Sequence, residues 1–238
     1  MQTKTTLRSV TFDEPSGLTT TVLVHEQADA AYGCYIWPSA LILSRFIHHH
    51  SAHFASSRIL ELGCGTGLPG LLASKLGAHV ILTDSPTFPH VLALARLNVD
   101  TNRVSAIVAP LSWTDPTPVV AEPWFGGGFD WITGADVFYD PADFDDLFAT
   151  VALLLRRSRA EARFLTAYQE RSSRRSVRHL MDKWGLGGRL VPVSGFGGLD
   201  PAGVRVVAVA DERGEREGAG QGQAGAGQEE GAPPPRQQ

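Results

Sequence analysis

Short apolar segments alternate with longer amphipathic segments along most of this chain. The short apolar runs predict strands at residues 58–62, 79–83, 104–109, 129–135 and 163–168. The segments around them predict helices at residues 39–47, 69–76 and 89–100, from Asp140-Pro141 onwards, and from Ser172 or Ser173 to Trp184. Two further runs, 190–193 and 204–210, have no helix between them, so we expect one to be antiparallel. The alternation is typical of an α/β protein with a mostly parallel sheet.

The start of the chain departs from this pattern. Residues 5–12 and 18–26 both alternate between apolar and polar positions and are rich in Thr and Val. Pro15, Ser16 and Gly17 between them are turn-forming residues. This combination predicts an N-terminal β-hairpin.

The composition changes again near residue 211. Residues 211–238 contain no Val, Ile, Leu, Phe, Trp, Tyr or Met, and they carry six acidic and three basic residues. Such a segment cannot bury enough apolar surface to offset its ordering entropy, so we predict a disordered tail. The expected organisation is a hairpin extension at 1–30, one domain at 31–210 and the tail at 211–238.

Composition and charge narrow the class of protein. Hydrophobic residues make up 43% of the 238 residues, which suits a packed domain, and the net charge of -4 argues against a broadly basic surface for nucleic acid. The presence of only Cys34 and Cys64 excludes a disulfide scaffold and favours a reducing compartment. The first residues lack the apolar region of a secretory signal, and no apolar run has the length of a membrane span. We therefore expect a cytoplasmic or nuclear location.

The strongest chemical signal is a glycine-rich turn after the predicted strand at 58–62. Residues 61–70 read ELGCGTGLPG, and Asp84 ends the next predicted strand, 21 residues after Gly63. Glycines allow the backbone to approach a ligand closely, and a carboxylate in that place can accept hydrogen bonds from both ribose hydroxyls. Two cofactor classes fit, since a dinucleotide and S-adenosylmethionine both use a glycine turn followed by an acid.

Three details favour S-adenosylmethionine over a dinucleotide. Glu61 occupies the acidic position two residues before Gly63. Pro69 lies inside the dinucleotide spacing formed by Gly65, Gly67 and Gly70, where it lacks an N–H for pyrophosphate. No Tyr-x-x-x-Lys pair occurs to support hydride transfer.

Four segments together resemble the seven-strand, S-adenosylmethionine-dependent protein methyltransferases of the methyltransferase-like lysine methyltransferase group. They are residues 32–40 (YGCYIWPSA), 61–70, 111–113 (LSW) and 134–139 (GADVFY). Residues 82–85 (LTDS), 89–90 (PH), 136–144 and 166–169 (TAYQ) are most similar to the branch of methyltransferase-like protein 23. The resemblance spans about residues 5–210 and implies an α/β, Rossmann-like seven-strand methyltransferase sheet of order 3-2-1-4-5-7-6.

The resemblance also implies a site. Trp37 matches a tryptophan at the methionine end of the cofactor, Asp84 the ribose-binding acid and Trp113 the aromatic beside adenine. Asp136 and Tyr139 match the [DE]-x-x-[YF] motif at the methyl-transfer centre and are the predicted catalytic residues. The predicted cofactor-binding residues are Trp37, Glu61, Gly63, Cys64, Gly65, Gly67, Asp84, Trp113 and Ala135.

Several of these residues also have purely structural interpretations. Trp37 suits a core aromatic, Trp113 a loop anchor and Asp136 a turn cap. Cys64 is interpreted as a small filler within the turn. The run of histidines has no partner at metal-ligand spacing, and we interpret it as an exposed loop rather than a metal site. This run comprises His48, His49, His50 and His53. A basic helix start is interpreted as a solvated face, and its residues are Arg171, Arg174, Arg175 and Arg178.

The identity of the methyl acceptor stays open at this stage. A lysine must first lose a proton, whereas an arginine keeps its charge and needs a carboxylate to orient it. Asp136, Asp140 and Asp143 supply carboxylates for either cation. The branch that the chain resembles acts on arginine in proteins, with histones as one candidate substrate.

We therefore predict an S-adenosylmethionine-dependent methyltransferase that modifies an arginine or lysine side chain of a protein. Two alternatives remain: a small-molecule or nucleic-acid methyltransferase on the same fold, and a non-catalytic cofactor-binding module. No Asn-Pro-Pro-Tyr-type motif follows the fourth predicted strand of the sheet, which counts against methylation of nucleic-acid bases. Neither a metal nor a membrane is an expected partner.

Overall fold

The fold consists of a central sheet with helices on both faces and a separate hairpin from the start of the chain. The computed structural model describes residues 5–14, 16–27, 33–169, 177–192 and 204–212. The strands are β1 (Thr5–Asp13), β2 (Thr19–Gln27), β3 (Arg58–Leu62), β4 (His79–Asp84), β5 (Ile107–Pro110), β6 (Trp131–Ala135), β7 (Arg163–Gln169), β8 (Leu186–Val191) and β9 (Val204–Asp211). The helices are α1 (Pro38–His49), α2 (Ser51–Phe54), α3 (Leu68–Lys75), α4 (Pro89–Asn102), α5 (Thr117–Ala121), α6 (Phe144–Arg156) and α7 (Arg178–Trp184).

The sheet is mostly parallel, with one reversed strand near its edge. Its order is β5-β4-β3-β6-β7-β9-β8, which reads 3-2-1-4-5-7-6 when only the strands of this sheet are numbered. β3 pairs in parallel with β4 and β6, whereas β9 runs antiparallel to both β7 and β8. The prediction that one of the last two strands is antiparallel is therefore confirmed. Within the described residues, no helix has the length and apolar character needed to cross a membrane.

Alternate residues of the central strands divide the core into two clusters. Ile59 and Val80 belong to the cluster that includes residues of α1, α3 and α4, whereas Leu60 and Ile81 belong to the cluster that includes residues of α6. This division follows from the pleat of a strand, which directs successive side chains to opposite faces of a sheet. Both faces are apolar, as expected for parallel strands that are covered on each side.

Proline and glycine set several of the helix ends. Prolines stand in the first turn of α1, α3 and α4, where a missing N–H costs no helical hydrogen bond. Gly185 ends α7 in the left-handed conformation, with φ +69°, as predicted for this glycine. The Asp140 carboxylate accepts a hydrogen bond from the Ala142 N–H at 2.9 Å, but the turn that it caps, Pro141–Asp143, is a 3₁₀ helix ahead of α6.

The predicted N-terminal hairpin is present and packs on the domain. β1 and β2 pair antiparallel from Thr5↔Gln27 to Asp13↔Thr19. Val22 and Val24 of β2 are fully buried in the same core cluster as α3 and α4. The hairpin therefore shares the apolar core of the domain.

Some predicted boundaries were wrong. β5 begins at Ile107 rather than at 104, and β8 covers Leu186–Val191 rather than 190–193. The predicted tail started at Asp211, but Asp211 is the last residue of β9 and forms an ion pair with Arg156 at 3.2 Å. The predicted helix start at Ser172 or Ser173 and the residues 213–238 lie outside the described residues.

Candidate active site

The glycine-rich turn connects β3 to α3 at the carboxyl edge of the sheet. Gly63 and Gly65 have φ values of +56° and +54°, a region that side chains with a Cβ rarely adopt. Neighbouring groups also come close, since a Cβ on Gly65 would lie 3.0 Å from the Gly33 carbonyl oxygen. A Cβ on Gly63 would lie 3.2 Å from Val137 Cγ1 and 3.6 Å from Trp113 Cζ2. The turn is therefore bare backbone surrounded by segments from three other parts of the chain.

Asp84 lies at the end of β4 and is bonded to this turn. Its Oδ2 accepts a hydrogen bond from the Gly65 N–H at 2.9 Å, and its Oδ1 accepts one from the Ser85 N–H at 2.8 Å. Burial raises the pKa of the Asp84 carboxyl, and these two N–H donors partly oppose that rise. The carboxylate thus stands beside the turn, where the sequence placed the ribose-binding acid.

Glu61 lies beneath the turn rather than on its surface. Its side chain is only 1% exposed, and Oε2 accepts a hydrogen bond from the Gly70 N–H in the first turn of α3 at 2.8 Å. Burial raises the pKa of Glu61 to about 8. This geometry makes Glu61 a support for the junction between the turn and α3, and its role in cofactor binding stays a prediction.

Cys64 is also enclosed. Its side chain is buried, and burial raises the pKa of its thiol well above the usual value. Its backbone N–H donates to the Thr83 carbonyl at 2.9 Å, which ties the turn to β4. The thiol therefore has the features of a small packing group, as predicted, and not of a nucleophile.

The two predicted tryptophans lie on different segments, and Trp113 is the one whose ring approaches the turn. Trp113 is half-buried, and its ring edge approaches Gly63. Its carbonyl accepts a hydrogen bond from Thr150 Oγ1 at 3.0 Å, which fixes the loop after β5 to α6. Trp37 is half-buried at the start of α1, with its ring 4.6 Å from the ring of Tyr35. The segment leading to Trp37 reaches the turn at Gly33.

Asp136 directly follows β6 and forms hydrogen bonds with residues of β7. It is a non-glycine residue in the left-handed region, with φ +56°, and is 7% exposed. Its N–H donates to the Ala167 carbonyl at 2.7 Å, and its Oδ1 accepts from the Gln169 N–H at 3.4 Å. Ala135, directly before it, is half-buried at the end of β6. These contacts support the turn-cap interpretation of Asp136, and its catalytic role stays a prediction.

Tyr139 lies at the same edge and is open to solvent, with 45% of its surface exposed. Burial of part of the ring and the nearby carboxylates of Asp143, Asp84 and Asp140 raise the pKa of its hydroxyl. Phe138 instead packs with the rings of Phe144, Phe148 and Tyr168. Of the two adjacent aromatics, Tyr139 is therefore the one available to a bound molecule.

The histidine run does not form the predicted exposed loop. His48 and His49 are in α1, and the His48 side chain is 1% exposed with its Nδ1 3.9 Å from Glu14 Oε1. A hydrogen bond between His48 Nε2 and Thr20 Oγ1 at 3.2 Å and one between His49 Nδ1 and Glu14 Oε2 at 3.0 Å connect α1 to the hairpin. No group of three or more potential metal ligands comes together among the residues that the structure describes.

The sequence reasoning missed three residues that surround the turn. Gly33 and Val137 approach it directly, and Asn98 of α4 donates a hydrogen bond from Nδ2 to the Thr66 carbonyl at 3.0 Å. The signal for Asn98 is a pair of amides four residues apart, Asn98 and Asn102, because residues at this spacing share one face of a helix.

Known proteins are similar to this chain in sequence. The chain is 39% identical over 176 residues to the histone-arginine methyltransferase METTL23 of Xenopus laevis, covering 74% of each chain. It is 33% identical over 157 residues to the protein N-lysine methyltransferase METTL21A of Danio rerio, covering 60% of this chain and 70% of that one.

A solved structure is similar in fold. The 16S rRNA N2 G1207 methyltransferase RsmC of T. Thermophilus, in complex with AdoMet and guanosine, superposes with a TM-score of 0.58 at 16% identity. The match covers 87% of this chain and 51% of that one, so this chain spans about half of its length. At this identity the likeness concerns the fold.

The lysine methyltransferase family matches residues 18–183, which is more than half of the chain. Together with the glycine turn, Asp84 and the strand order, this match shows that the chain belongs to the lysine methyltransferase family.

Proposed function

We propose that this protein transfers a methyl group from S-adenosylmethionine to an arginine side chain of a protein substrate. The observation that carries the proposal is the meeting of the glycine turn, Asp84 and Tyr139 at one edge of the sheet. The family and the protein methyltransferases among the relatives support the reaction class. The 39% identity to a histone-arginine methyltransferase favours arginine, and makes histones the first substrates to test.

The residues present fit this cofactor. Gly63 and Gly65 have left-handed backbones without a Cβ, which leaves the main chain of the turn uncovered by their side chains, and the Asp84 carboxylate stands beside Gly65. We assign Asp84 to the ribose hydroxyls, Trp113 to the side of the adenine and Trp37 to the methionine end. Gly67, Cys64 and the Ala135 backbone complete the surroundings, and Glu61 supports the turn from below.

The chain's own task is to bind, orient and exclude water. S-adenosylmethionine, when bound, supplies an activated methyl group on a sulfonium. A guanidinium nitrogen must give up one proton when it is methylated. Negatively charged carboxylates would both orient the cationic acceptor towards the methyl group and take that proton. Asp136, Asp140 and Asp143 follow β6 and supply that charge, while the exposed ring of Tyr139 shields the acceptor from water.

A labelling experiment tests the reaction. Purified protein is incubated with methyl-labelled S-adenosylmethionine and, in parallel, with a protein extract, purified histones or nucleic acid. We expect label on protein only, and methylarginine in the labelled peptides by mass spectrometry. Label on nucleic acid, or on no macromolecule, would overturn the proposal, and methyllysine would replace arginine as the acceptor.

The variant Asp84→Asn tests the assignment of Asp84 to the ribose hydroxyls of the cofactor. Hydrogen bonds to charged groups contribute about 1.5–3 kcal/mol, so the affinity for S-adenosylmethionine should fall roughly tenfold to a hundredfold. Calorimetric titration measures this directly. Equal affinity in the wild type and the variant would remove Asp84 from the ribose site.

The predicted cytoplasmic or nuclear location remains a proposal that rests on the sequence alone. Imaging the tagged full-length chain in cells would test it. A signal confined to a membrane-bounded secretory compartment would contradict it.

A further inference from the structure

Two asparagines of α4 bind the N-terminal hairpin in the same way. The Asn98 side chain accepts from the His25 N–H at 2.7 Å and donates to the His25 carbonyl at 3.3 Å. The Asn102 side chain accepts from the Leu23 N–H at 2.9 Å and donates to the Leu23 carbonyl at 2.6 Å. One helix face thus pairs with alternate residues of β2, as a neighbouring strand would.

The two asparagines differ in their remaining hydrogen bond. Asn98 Nδ2 also donates to the carbonyl of Thr66, inside the glycine turn, at 3.0 Å. Asn102 Nδ2 donates instead to the carbonyl of Asn98, within its own helix, at 2.8 Å. An amide nitrogen has two hydrogens to donate, so Asn98 divides its pair between the hairpin and the turn. Asn98 is fully buried and Thr66 is 3% exposed, so water does not replace this bond.

The end of the hairpin holds a second segment against the same turn. The Gln27 N–H donates to the Cys34 carbonyl at 2.8 Å, and the Ile36 N–H donates to Glu26 Oε1 at 2.8 Å. These bonds fix residues 34–36, which directly follow Gly33, and the Gly33 carbonyl oxygen lies against Gly65. The hairpin is therefore connected to the turn both through α4 and through its own continuation.

We propose that the N-terminal hairpin is part of the cofactor site, and that Asn98 is the positioning residue that couples the two. This inference rests on the proposed binding of S-adenosylmethionine by the glycine turn. Without the Asn98 donor, the buried Thr66 carbonyl loses this hydrogen bond. The turn then shifts so that the carbonyl can reach another donor. Gly65 and Gly67 on either side of Thr66 then leave the positions in which they face the cofactor.

The matched pair Asn98→Ala and Asn102→Ala tests the coupling. Both variants lose two hydrogen bonds to β2, so both should lower the melting temperature by a similar amount. Only Asn98→Ala breaks the bond to the turn, and we expect its affinity for S-adenosylmethionine to be about tenfold weaker by calorimetric titration. The affinity of Asn102→Ala should stay within about twofold of the wild type. Equal cofactor affinities in the two variants would overturn the proposal.

A second pair serves if either alanine variant does not fold. Asn98→Leu and Asn102→Leu keep nearly the shape of the amide side chain, leave no cavity and introduce no buried charge, and each loses all of its side-chain hydrogen bonds. The cofactor affinity should again fall only for the change at 98. If the wild-type protein binds no S-adenosylmethionine, the proposed function fails. If it binds and both members of the pair respond alike, only the coupling through Asn98 fails.

Discussion

Asp136 has two features that can be tested separately: a hydrogen bond that anchors its loop, and a negative charge. Its backbone is left-handed, which Asp and Asn tolerate better than most residues with a side chain. One carboxylate oxygen accepts the Gln169 N–H, and this bond holds the loop after β6 against β7. The negative charge is a separate property, since an amide oxygen in the same place would accept the same bond.

Asp136→Asn isolates the charge. It keeps the left-handed conformation and the acceptor for Gln169, so the cofactor affinity and the melting temperature should change little. If the carboxylate orients a cationic acceptor, kcat for methyl transfer should fall on the order of 10²-fold. Steady-state kinetics of methyl transfer from labelled S-adenosylmethionine to a peptide substrate measures this kcat.

Asp136→Ala is the companion variant, because it removes the charge and the loop contact together. Full turnover in Asp136→Asn with loss in Asp136→Ala would make Asp136 a loop anchor only. The acceptor would then be held by other groups at this edge, such as Asp140 or Tyr139.

At the residue scale, local spacing predicted the turn and Asp84 because their signals lie within about 20 residues of each other. The four-residue spacing of Asn98 and Asn102 indicates a shared helix face, but it does not indicate what that face contacts. The partners of Asn98 in the hairpin and in the turn are 73 and 32 residues away, so only the packed fold brings them together. Phe138 and Tyr139 are likewise adjacent in sequence, and only packing shows that one ring is covered and the other open.

At the scale of elements, the junction of β3 and α3 depends on one buried acid. Glu61 of β3 accepts the Gly70 N–H of α3, and its burial raises the pKa to about 8. A Cβ on Gly70 would lie 2.5 Å from the same Glu61 oxygen, so the helix and strand are in close contact there. The protonated form of Glu61 keeps this bond without a buried charge.

This junction should make stability depend on pH. The folded-state pKa of Glu61, about 8, exceeds its ordinary value of 4.5, so the folded protein binds more protons than the unfolded chain between these values. The stabilisation is complete below about pH 4.5 and is lost as the pH rises through about 8, by up to about 1.4 kcal/mol per pH unit.

Glu61→Gln should remove this dependence. The free energy of unfolding of the variant relative to the wild type should therefore rise between about pH 5 and pH 8, as measured by urea unfolding of the ligand-free protein. The exposed Glu122 supplies a control, because Glu122→Gln should leave the wild-type profile unchanged. Parallel profiles for Glu61→Gln and the wild type would contradict the raised pKa.

The misplaced element boundaries have a physical cause as well. β8 includes Gly187 and Gly188, which have low strand propensity, and yet they pair with Ala210 and Val209 of β9. Pairing with a neighbour that is distant in sequence decides the strand here, against local preference. The alternation of strands and helices in the rest of the sheet is a local property, and it was predicted with errors of a few residues at the ends.

For the whole molecule, the last described contacts of the domain extend to Asp211 and Glu212, beyond the predicted end of the domain at residue 210. Asp211 pairs with Arg156, and the Glu212 N–H donates to the Gly185 carbonyl at 3.0 Å. Residues 213–238 contain no Val, Ile, Leu, Phe, Trp, Tyr or Met. The boundary at 211 was predicted from the lack of large apolar residues after it. That criterion misses Asp211 and Glu212, because they contribute an ion pair and a backbone hydrogen bond rather than apolar contacts.

Two truncations differing by two residues test this boundary. A chain ending at Glu212 should keep the melting temperature and cofactor affinity of the full chain, because no apolar group is removed. A chain ending at Ala210 loses the ion pair and the last strand bonds, and its melting temperature should fall by about 2–4 °C for each kcal/mol lost. Differential scanning calorimetry compares the three chains. A large drop for the chain ending at Glu212 would show that residues 213–238 contribute to the fold.

The position of β9 between β7 and β8 has a consequence during translation. The ribosome releases β8 before β9, but among the described residues β8 is bonded to the sheet only through β9. Until residues 204–211 emerge, the nascent chain therefore carries β7 as an open edge and β8 without a place in the sheet, and open edges are sites of misassembly and chaperone capture. A stop codon just before residue 204 would accordingly remove one strand from the gene product and detach a second.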